Sequence, residues 1–369
     1  MTNEKQYNQI KTAAHAGLGN ISNSLKELWL EIGGSCHLKC DYCFASRNGI
    51  DTCKDNVSLE KVLGYINEFK QMGGERIGIV GAGEPFHAKN IEDTFSILEN
   101  VKNTGIYTTI FTTADLLTDK TIDRIDNYKN ITLLVKYNSN NPEVQDKLVK
   151  SNGYTQRRDA ALQRLIDRGY NDGKRLGIVT SIMKDNLNEM ADLLRYARKN
   201  NLIFDADTLI PRGRGGTCGL QTTNEQTLAL LKELQKIDRE EFNNTWEITG
   251  SYIASPPCTR FSNHMYIDKV GKVHPCVSSQ GVEIGDIKTQ TLNEVWNSPV
   301  MKIIRDHNYV GKCTTCNNYK EKKCFSCLGR ACDPENMTTE FLKENGHVET
   351  RGCFNYDEND CKEVNQNGK

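Results

Sequence analysis

From Glu27 to Ile210, short apolar runs alternate with stretches of helical periodicity, and this alternation most constrains the fold. Glu27-Leu-Trp-Leu-Glu-Ile32 reads as a first strand, and Arg76–Val80 as a second that ends at Gly81-Ala-Gly-Glu-Pro85. Tyr107–Phe111, Ile131–Lys136, Leu176–Met183 and Leu202–Ile210 follow as strands. Ser58 is a candidate N-cap, after which Leu59, Val62, Leu63, Ile66 and Phe69 form one apolar helix face. Phe95, Leu98 and Val101 mark another helix, and Ala160–Arg168 and Leu193–Arg198 two more. Six β/α units of about 30 residues predict a parallel sheet with right-handed crossovers. Six are too few to close an eight-unit barrel. The expected fold is therefore α/β, a partial (β/α)6 TIM-like barrel whose active site lies at the carboxyl ends of the strands.

Composition changes after the Gly-rich stretch Pro211-Arg-Gly-Arg-Gly-Gly216, which reads as the exit from the barrel. The expected organisation is an N-terminal extension (1–24), the barrel core (25–216), a helical bridge (217–254), a small Cys-rich α+β module (255–361) and a polar tail (362–369). Of the 14 cysteines, residues 1–257 hold only Cys36, Cys40, Cys43, Cys53 and Cys218, and the last third holds nine. In a short secreted chain such density would mean disulfides. Here Met1–Asn20 has no apolar signal core and no run approaches 18 apolar residues. A cytoplasmic location and metal or cluster ligation are the expectation. Lys+Arg 47 against Asp+Glu 48 leaves a net charge of −1, which argues against a large basic surface for nucleic acid or membrane.

Cys36-His-Leu-Lys-Cys40-Asp-Tyr-Cys43 sets three thiols directly after the first strand. Soft thiolates at this spacing suit an iron–sulfur cluster or zinc. Three ligands leave one iron of a four-iron cluster open to a substrate or cofactor, as a catalytic zinc site keeps one position open. The alternative is a zinc loop completed by His37. This C-x3-C-x2-C loop, ending strand one of a β/α array, resembles the radical S-adenosylmethionine (radical SAM) superfamily. The resemblance implies that Cys36, Cys40 and Cys43 hold a 4Fe-4S cluster whose open iron chelates SAM, which is cleaved to a 5′-deoxyadenosyl radical that abstracts a substrate hydrogen. It also implies that Tyr42 lies near the adenine. Gly81-Ala-Gly83-Glu84-Pro85 stands where the family usually has Gly-Gly-Glu-Pro, with Ala82 departing from the pattern. Gly83 and Glu84 are then cofactor contacts, Glu84 accepting from the methionyl ammonium. Thr112 and Lys136 are strand-end candidates of the same kind, Lys136 pairing the SAM carboxylate. Without the family, Gly-x-Gly-Glu-Pro is a turn and Lys136 a solvated lysine.

Cys258-x12-Gly271-x4-Cys276 reads as a hairpin turning at Asp268–Gly271. It resembles the opening of the SPASM domain of radical SAM enzymes, as do Gly285-Asp-Ile, the helix around Leu292, Val295 and Trp296, and Cys313-x2-Cys316. The resemblance implies one or two auxiliary 4Fe-4S clusters. Beyond Cys316 the spacing departs from the family: x7-Cys324-x2-Cys327-x4-Cys332, then Cys353 and Cys361. Cys258, Cys276 and Cys332 are expected on the inner cluster and Cys313, Cys316, Cys324 and Cys353 on the outer one, with Cys327 or Cys361 spare or an extra ligand. A zinc ribbon from Cys313-x2-Cys316 and Cys324-x2-Cys327 is the alternative. Cys53 and Cys218 fit no cluster. Cys218, beside the Gly-rich loop, is either a hydrogen donor, as in radical SAM epimerases, or an inert thiol. Arg212 and Arg214 either grip a carboxylate or phosphate or are solvated.

The resemblance thus implies an oxidoreductase-type enzyme that abstracts hydrogen from a peptide or protein, with an electron donor such as flavodoxin or ferredoxin. The auxiliary clusters then take up the substrate's electron or bind the substrate. About 26 residues precede strand one, fewer than a separate leader-peptide-binding domain needs, which raises a second reading: dehydrogenation or epimerisation of a small sugar, polyol or nucleoside. A third is a non-catalytic iron–sulfur or zinc scaffold, which requires the SAM-site residues to be coincidental.

Overall fold

The computed structural model describes residues 21–45, 56–248 and 253–353. Cys53, Cys361, the polar tail and most of the N-terminal extension lie outside them. Six parallel strands form where the apolar runs stand: β1 (Glu27–Glu31), β2 (Arg76–Gly81), β3 (Tyr107–Thr112), β4 (Ile131–Lys136), β5 (Leu176–Ile182) and β6 (Ile203–Thr208). Between them run α1 (Leu59–Gln71), α2 (Ile91–Val101), α3 (Asp119–Ile125), α4 (Pro142–Val149), α5 (Tyr154–Asp167) and α6 (Met190–Lys199). Ser58 caps α1 by accepting from the Lys61 amide. Helices α3 and α4 have seven and eight residues, too few for a repeating apolar face. Only their caps signal them in the sequence: Thr118, and Asn141 followed by Pro142.

Side-chain alternation splits each strand between two environments. Leu28, Leu30, Ile77, Ile79, Leu133 and Val135 join the main core under the helices. Their neighbours Trp29, Val80, Phe111, Leu134, Val179 and Ile203 pack on the opposite, inner face. That inner face also takes Phe44, Ile210, Tyr266 and Cys276.

The sheet does not stop at β1. Its order is β6-β5-β4-β3-β2-β1-β7-β8-β9, where β7 is His264–Ile267, β8 Lys272–His274 and β9 Gly285–Asp286. Strand β7 runs parallel to β1, Glu27 opposite His264 and Trp29 opposite Tyr266, and β8 and β9 continue antiparallel. The hairpin turns where its sequence predicts, with Asp268 Oδ1 accepting from the Val270 and Lys272 amides. The Cys-rich segment therefore covers the edge of β1, which would otherwise present unpaired backbone groups. Helix α7 (Asn224–Phe242), started by a Thr223/Gln226 capping box, links β6 to this hairpin. The remainder is built from α8 (Leu292–Trp296), α9 (Pro299–Arg305), α10 (Lys312–Thr315), α11 (Asn317–Lys320), α12 (Thr339–Asn345) and the parallel pair β10 (Tyr309–Gly311) and β11 (Val348–Thr350). Among the described residues no helix is long and apolar enough to cross a membrane.

One buried charged group fastens the two parts together. Glu27, 1% exposed, takes the Trp29 indole N–H at 3.0 Å and Arg260 Nε at 3.3 Å, and His264 Nδ1 lies 3.0 Å from its Oε2. Removing one partner from a buried ionic group strands the others. Glu27→Ala is expected to cost about 3–5 kcal/mol, read as a lowered urea midpoint, whereas a change within about 0.5 kcal/mol rules this fastening out.

Candidate active site

The three motif thiols sit on the loop leaving β1, held from several sides. The Lys39 and Asp41 amides donate to the Val149 and Leu148 carbonyls at the end of α4. Asn90, 1% exposed, donates to the Ser35 and Glu84 carbonyls at 2.8 and 2.9 Å, and the Glu84 amide donates to Ser35 at 2.9 Å. Gly83 is required by this seam: a Cβ there would lie 2.5 Å from the Ser35 carbonyl oxygen.

Burial pushes the Cys36 thiol up to about 12 and the Cys40 thiol up to about 11, and Cys43 adds to both rises. The Leu38 amide opposes the rise at Cys36, and Tyr42, Lys136 and Arg214 oppose it at Cys40, so burial outweighs what the protein offers these two thiolates and a bound cationic centre suits them. The Tyr42 hydroxyl is buried beside Cys40 and finds no oxygen or nitrogen partner. A trio of free thiols, an orphaned hydroxyl and an adjacent lysine fit a three-cysteine cluster with a bound polar cofactor.

Lys136 is that lysine. Its Nζ donates to Ser181 Oγ at 2.8 Å and lies 5.1 Å from the centre of the Tyr42 ring. Burial lowers its pKa to about 8, opposed by Cys40, Asp205, Cys43 and Asp207. The sequence thus names Tyr42 and Lys136 separately, and the fold brings them together.

Glu84 and Thr112 are bonded to each other at the strand ends. The Glu84 carboxylate, 2% exposed, has four donors within reach: Phe86 N at 3.2 Å, Thr112 Oγ1 at 2.5 Å, Thr113 N at 2.7 Å and Thr113 Oγ1 at 2.9 Å. Burial raises its pKa and these donors oppose the rise. The Thr113 hydroxyl also lies 2.8 Å from Asp115 Oδ1 and has one proton to share between the two carboxylates, so Glu84 keeps an acceptor site. Thr112 Oγ1 donates to Glu84 and accepts from the Ala114 amide at 3.0 Å. Both brace the end of β3 against that of β2. Glu84→Ala leaves buried donors unsatisfied and is expected to cost about 2–4 kcal/mol in chemical denaturation of the apoprotein. A loss below about 1 kcal/mol rules this bracing out.

His37 does not complete a zinc site: its Nε2 contacts Asp115 Oδ2 at 2.9 Å, tying the cysteine loop to the segment after β3. Tyr154, invisible to motif reading, places its hydroxyl 3.1 Å from the Thr113 carbonyl and 3.2 Å from that of Lys136. The Gly-rich loop is more than an exit. Arg214 Nε donates to the Cys40 carbonyl at 2.8 Å, the Gly215 amide donates to the Cys43 carbonyl at 3.4 Å, and Gly213 packs on Cys43 and Phe44. Arg214 is therefore a strut for the cysteine loop. Arg212 reaches towards Gly281 of the C-terminal part. Cys218 donates to the Gly215 carbonyl at 3.4 Å and packs with Leu38, Tyr42 and Leu209, apart from the inner-face group of Val80, Phe111 and Cys276. That position suits a packing thiol better than a hydrogen donor.

A second collection of thiols lies behind the inner face. Burial pushes Cys258 up to about 12; Arg260 opposes the rise, and Cys327 and Cys276 add to it. Burial also raises Cys276, against Arg260 and the Ser278 hydroxyl, with Cys327 again adding. Cys332, by contrast, interacts with Cys327 and Cys313. Cys327, left spare by the spacing, thus stands near Cys258 and Cys276 as well as near Cys332. Cys324, pushed up to about 12 by burial, interacts with Cys353, Cys313 and Cys327. Among the described residues, no three His, Cys, Asp or Glu side chains converge to hold a single metal ion.

A parallel β/α sheet thus carries a three-thiol loop at the end of β1, with a cysteine-bearing hairpin added beside that strand. The chain belongs to the radical SAM superfamily, whose model matches residues 30–197, and carries a SPASM iron–sulfur cluster-binding domain, matched at 258–317. Its cofactors are a 4Fe-4S cluster, SAM and auxiliary iron–sulfur clusters. A probable GTP 3′,8-cyclase of Methanocaldococcus jannaschii is 25% identical over 191 residues, 52% of this chain and 61% of that relative's length. Streptococcus suis SuiB bound to its precursor peptide SuiA superposes with a TM-score of 0.61 at 16% identity, covering 84% of this chain and 72% of that one. Native anSMEcpe with bound AdoMet and the Cp18Cys peptide superposes at 0.58 and 16% identity, covering 93% and 96%.

Proposed function

We propose that this enzyme modifies a peptide or protein by hydrogen abstraction. The reading is carried by architecture: the likeness to SuiB and anSMEcpe, both solved with peptides, runs through the barrel and the C-terminal part together. The curated cyclase match spans only half of the chain. Cys36, Cys40 and Cys43 would hold the 4Fe-4S cluster, which when bound would supply the electron for reductive cleavage of SAM. The chain's own residues position and exclude. Lys136 holds a cation at the strand ends beside Tyr42, suited to the SAM carboxylate, and Gly83 keeps the backbone of the β2 turn close to the loop. Trp29, Val80 and Phe111 make the inner face apolar, which keeps water from a reactive carbon centre. Cys258, Cys276 and Cys327 form the inner auxiliary set, and Cys313, Cys316, Cys324 and Cys353 the outer one. Since Cys276 shares the inner-face cluster with Phe44, which directly follows Cys43, the inner set borders the same face of the sheet as the SAM loop. That adjacency suits uptake of a substrate electron, an oxidoreductase role, with flavodoxin or ferredoxin as the supplier of reducing equivalents.

The test is anaerobic incubation of reduced, reconstituted enzyme with SAM and peptides encoded by short reading frames beside the gene. GTP and a panel of amino sugars run in parallel. The expected result is 5′-deoxyadenosine formed in proportion to peptide that has lost two hydrogens by mass spectrometry. Turnover coupled to GTP or a sugar, with peptides inert, overturns it.

A further inference from the structure

We propose that Arg330 raises the reduction potential of the inner auxiliary cluster by donating a hydrogen bond to the Cys327 sulfur, from a position fixed by the end of β6. Arg330 Nη1 lies 3.7 Å from Cys327 Sγ. The rest of its guanidinium is taken up by the barrel: Nη2 is 2.8 Å from both Asp207 Oδ2 and the Thr208 carbonyl, and Nε bonds Thr208 Oγ1. Its side chain is 13% exposed and that of Asp207 17%. A planar fork bound on two sides cannot swing into solvent, so the N–H aimed at the sulfur is held there. Hydrogen bonds and positive charge at cluster sulfurs favour the more negative, reduced state. Arg260 is the other cation facing this set, acting on Cys258 and Cys276, and it is balanced by Glu27. Arg330 differs in reaching a ligand sulfur directly while anchored to a strand of the barrel. It is a positioning residue, and its effect is on a potential.

The inference rests on placing Cys327 in the inner set, and the two fail separately. Cys327→Ala should remove the same auxiliary EPR signal that Cys276→Ala removes; if it removes the other signal, or if both persist at full intensity, the placement is wrong. Arg330 is then tested in the otherwise intact holoenzyme by EPR-monitored redox titration without substrate. Arg330→Met should lower the midpoint of that one signal by about 59 mV, a tenfold change in the equilibrium of a one-electron couple, and leave the outer signal unmoved. Arg330→Lys, which keeps the charge and loses the fork, should shift it less in the same direction. If Arg330→Met does not load iron, Arg330→Lys and Thr208→Val, which releases one anchor, carry the test. Midpoints unchanged in every iron-replete variant overturn the proposal.

Discussion

Replacing Cys36, Cys40 and Cys43 together by Ala is expected to reduce SAM-dependent release of 5′-deoxyadenosine to background and to lower the iron content by about four per chain. The auxiliary signals should survive, because Cys258, Cys276 and Cys327 are grouped with Arg260 rather than with the β1 loop. Each single replacement should lower turnover almost as far. Burial disfavours the thiolate at Cys36 and Cys40, so a partial ligand set lacks the cation that makes it worth deprotonating. Iron analysis and product chromatography on the same sample check both halves. Continued 5′-deoxyadenosine release by the triple variant removes these cysteines from the cofactor site.

The second large effect is expected at Gly213, which carries none of the chemistry. Its φ is +55°, and a Cβ would stand 2.5 Å from the carbonyl oxygens of both Cys43 and Phe44. Those atoms are backbone and have no rotamer to yield. Gly213→Ala therefore adds left-handed strain of about 1–2 kcal/mol and also pushes the cysteine loop out of place. A tenfold or greater fall in SAM cleavage is expected, since about 1.4 kcal/mol in the barrier is a factor of ten. Gly219→Ala separates the two causes: its φ is +72° but no atom lies within 4 Å of the added carbon. That variant should lose stability and retain most of its cleavage rate. Equal rates in the two variants mean that the Gly-rich loop does not hold the cluster loop.

Most of the barrel is legible from the sequence because its signals are local. Ile131–Lys136 is a strand on its apolar run alone, and the structure gives the same bounds. Ser58 starts its helix with the hydroxyl that the sequence offers. Helices α3 and α4 are missed because seven or eight residues cannot display a repeat. The site divides in the same way. Tyr42 and Lys136, each named by its motif position, stand side by side at the strand ends. Glu84 is found, but nothing in Gly-x-Gly-Glu-Pro announces the donors from Phe86, Thr112 and Thr113 that surround it. Arg214 is named without its partner and Tyr154 is passed over, because their acceptors are main-chain carbonyls, which leave no trace in residue identity.

The cysteine pattern shows where the boundary falls. Spacing within one loop is fixed by the covalent chain, so Cys36, Cys40 and Cys43 belong together before any folding is known. Cys258, Cys276 and Cys327 lie on three separate segments, and counting residues between them says little about distance. Their grouping follows from β7 pairing with β1 and from Arg330 anchoring its turn to the end of β6. The sequence by itself determined the parallel β/α order and the three-thiol loop, because both rest on contacts between near neighbours. Tertiary structure decided which segments bring distant cysteines near one another, which donors surround a buried carboxylate and which glycines the loop cannot lose, because those depend on backbone meeting backbone across the fold.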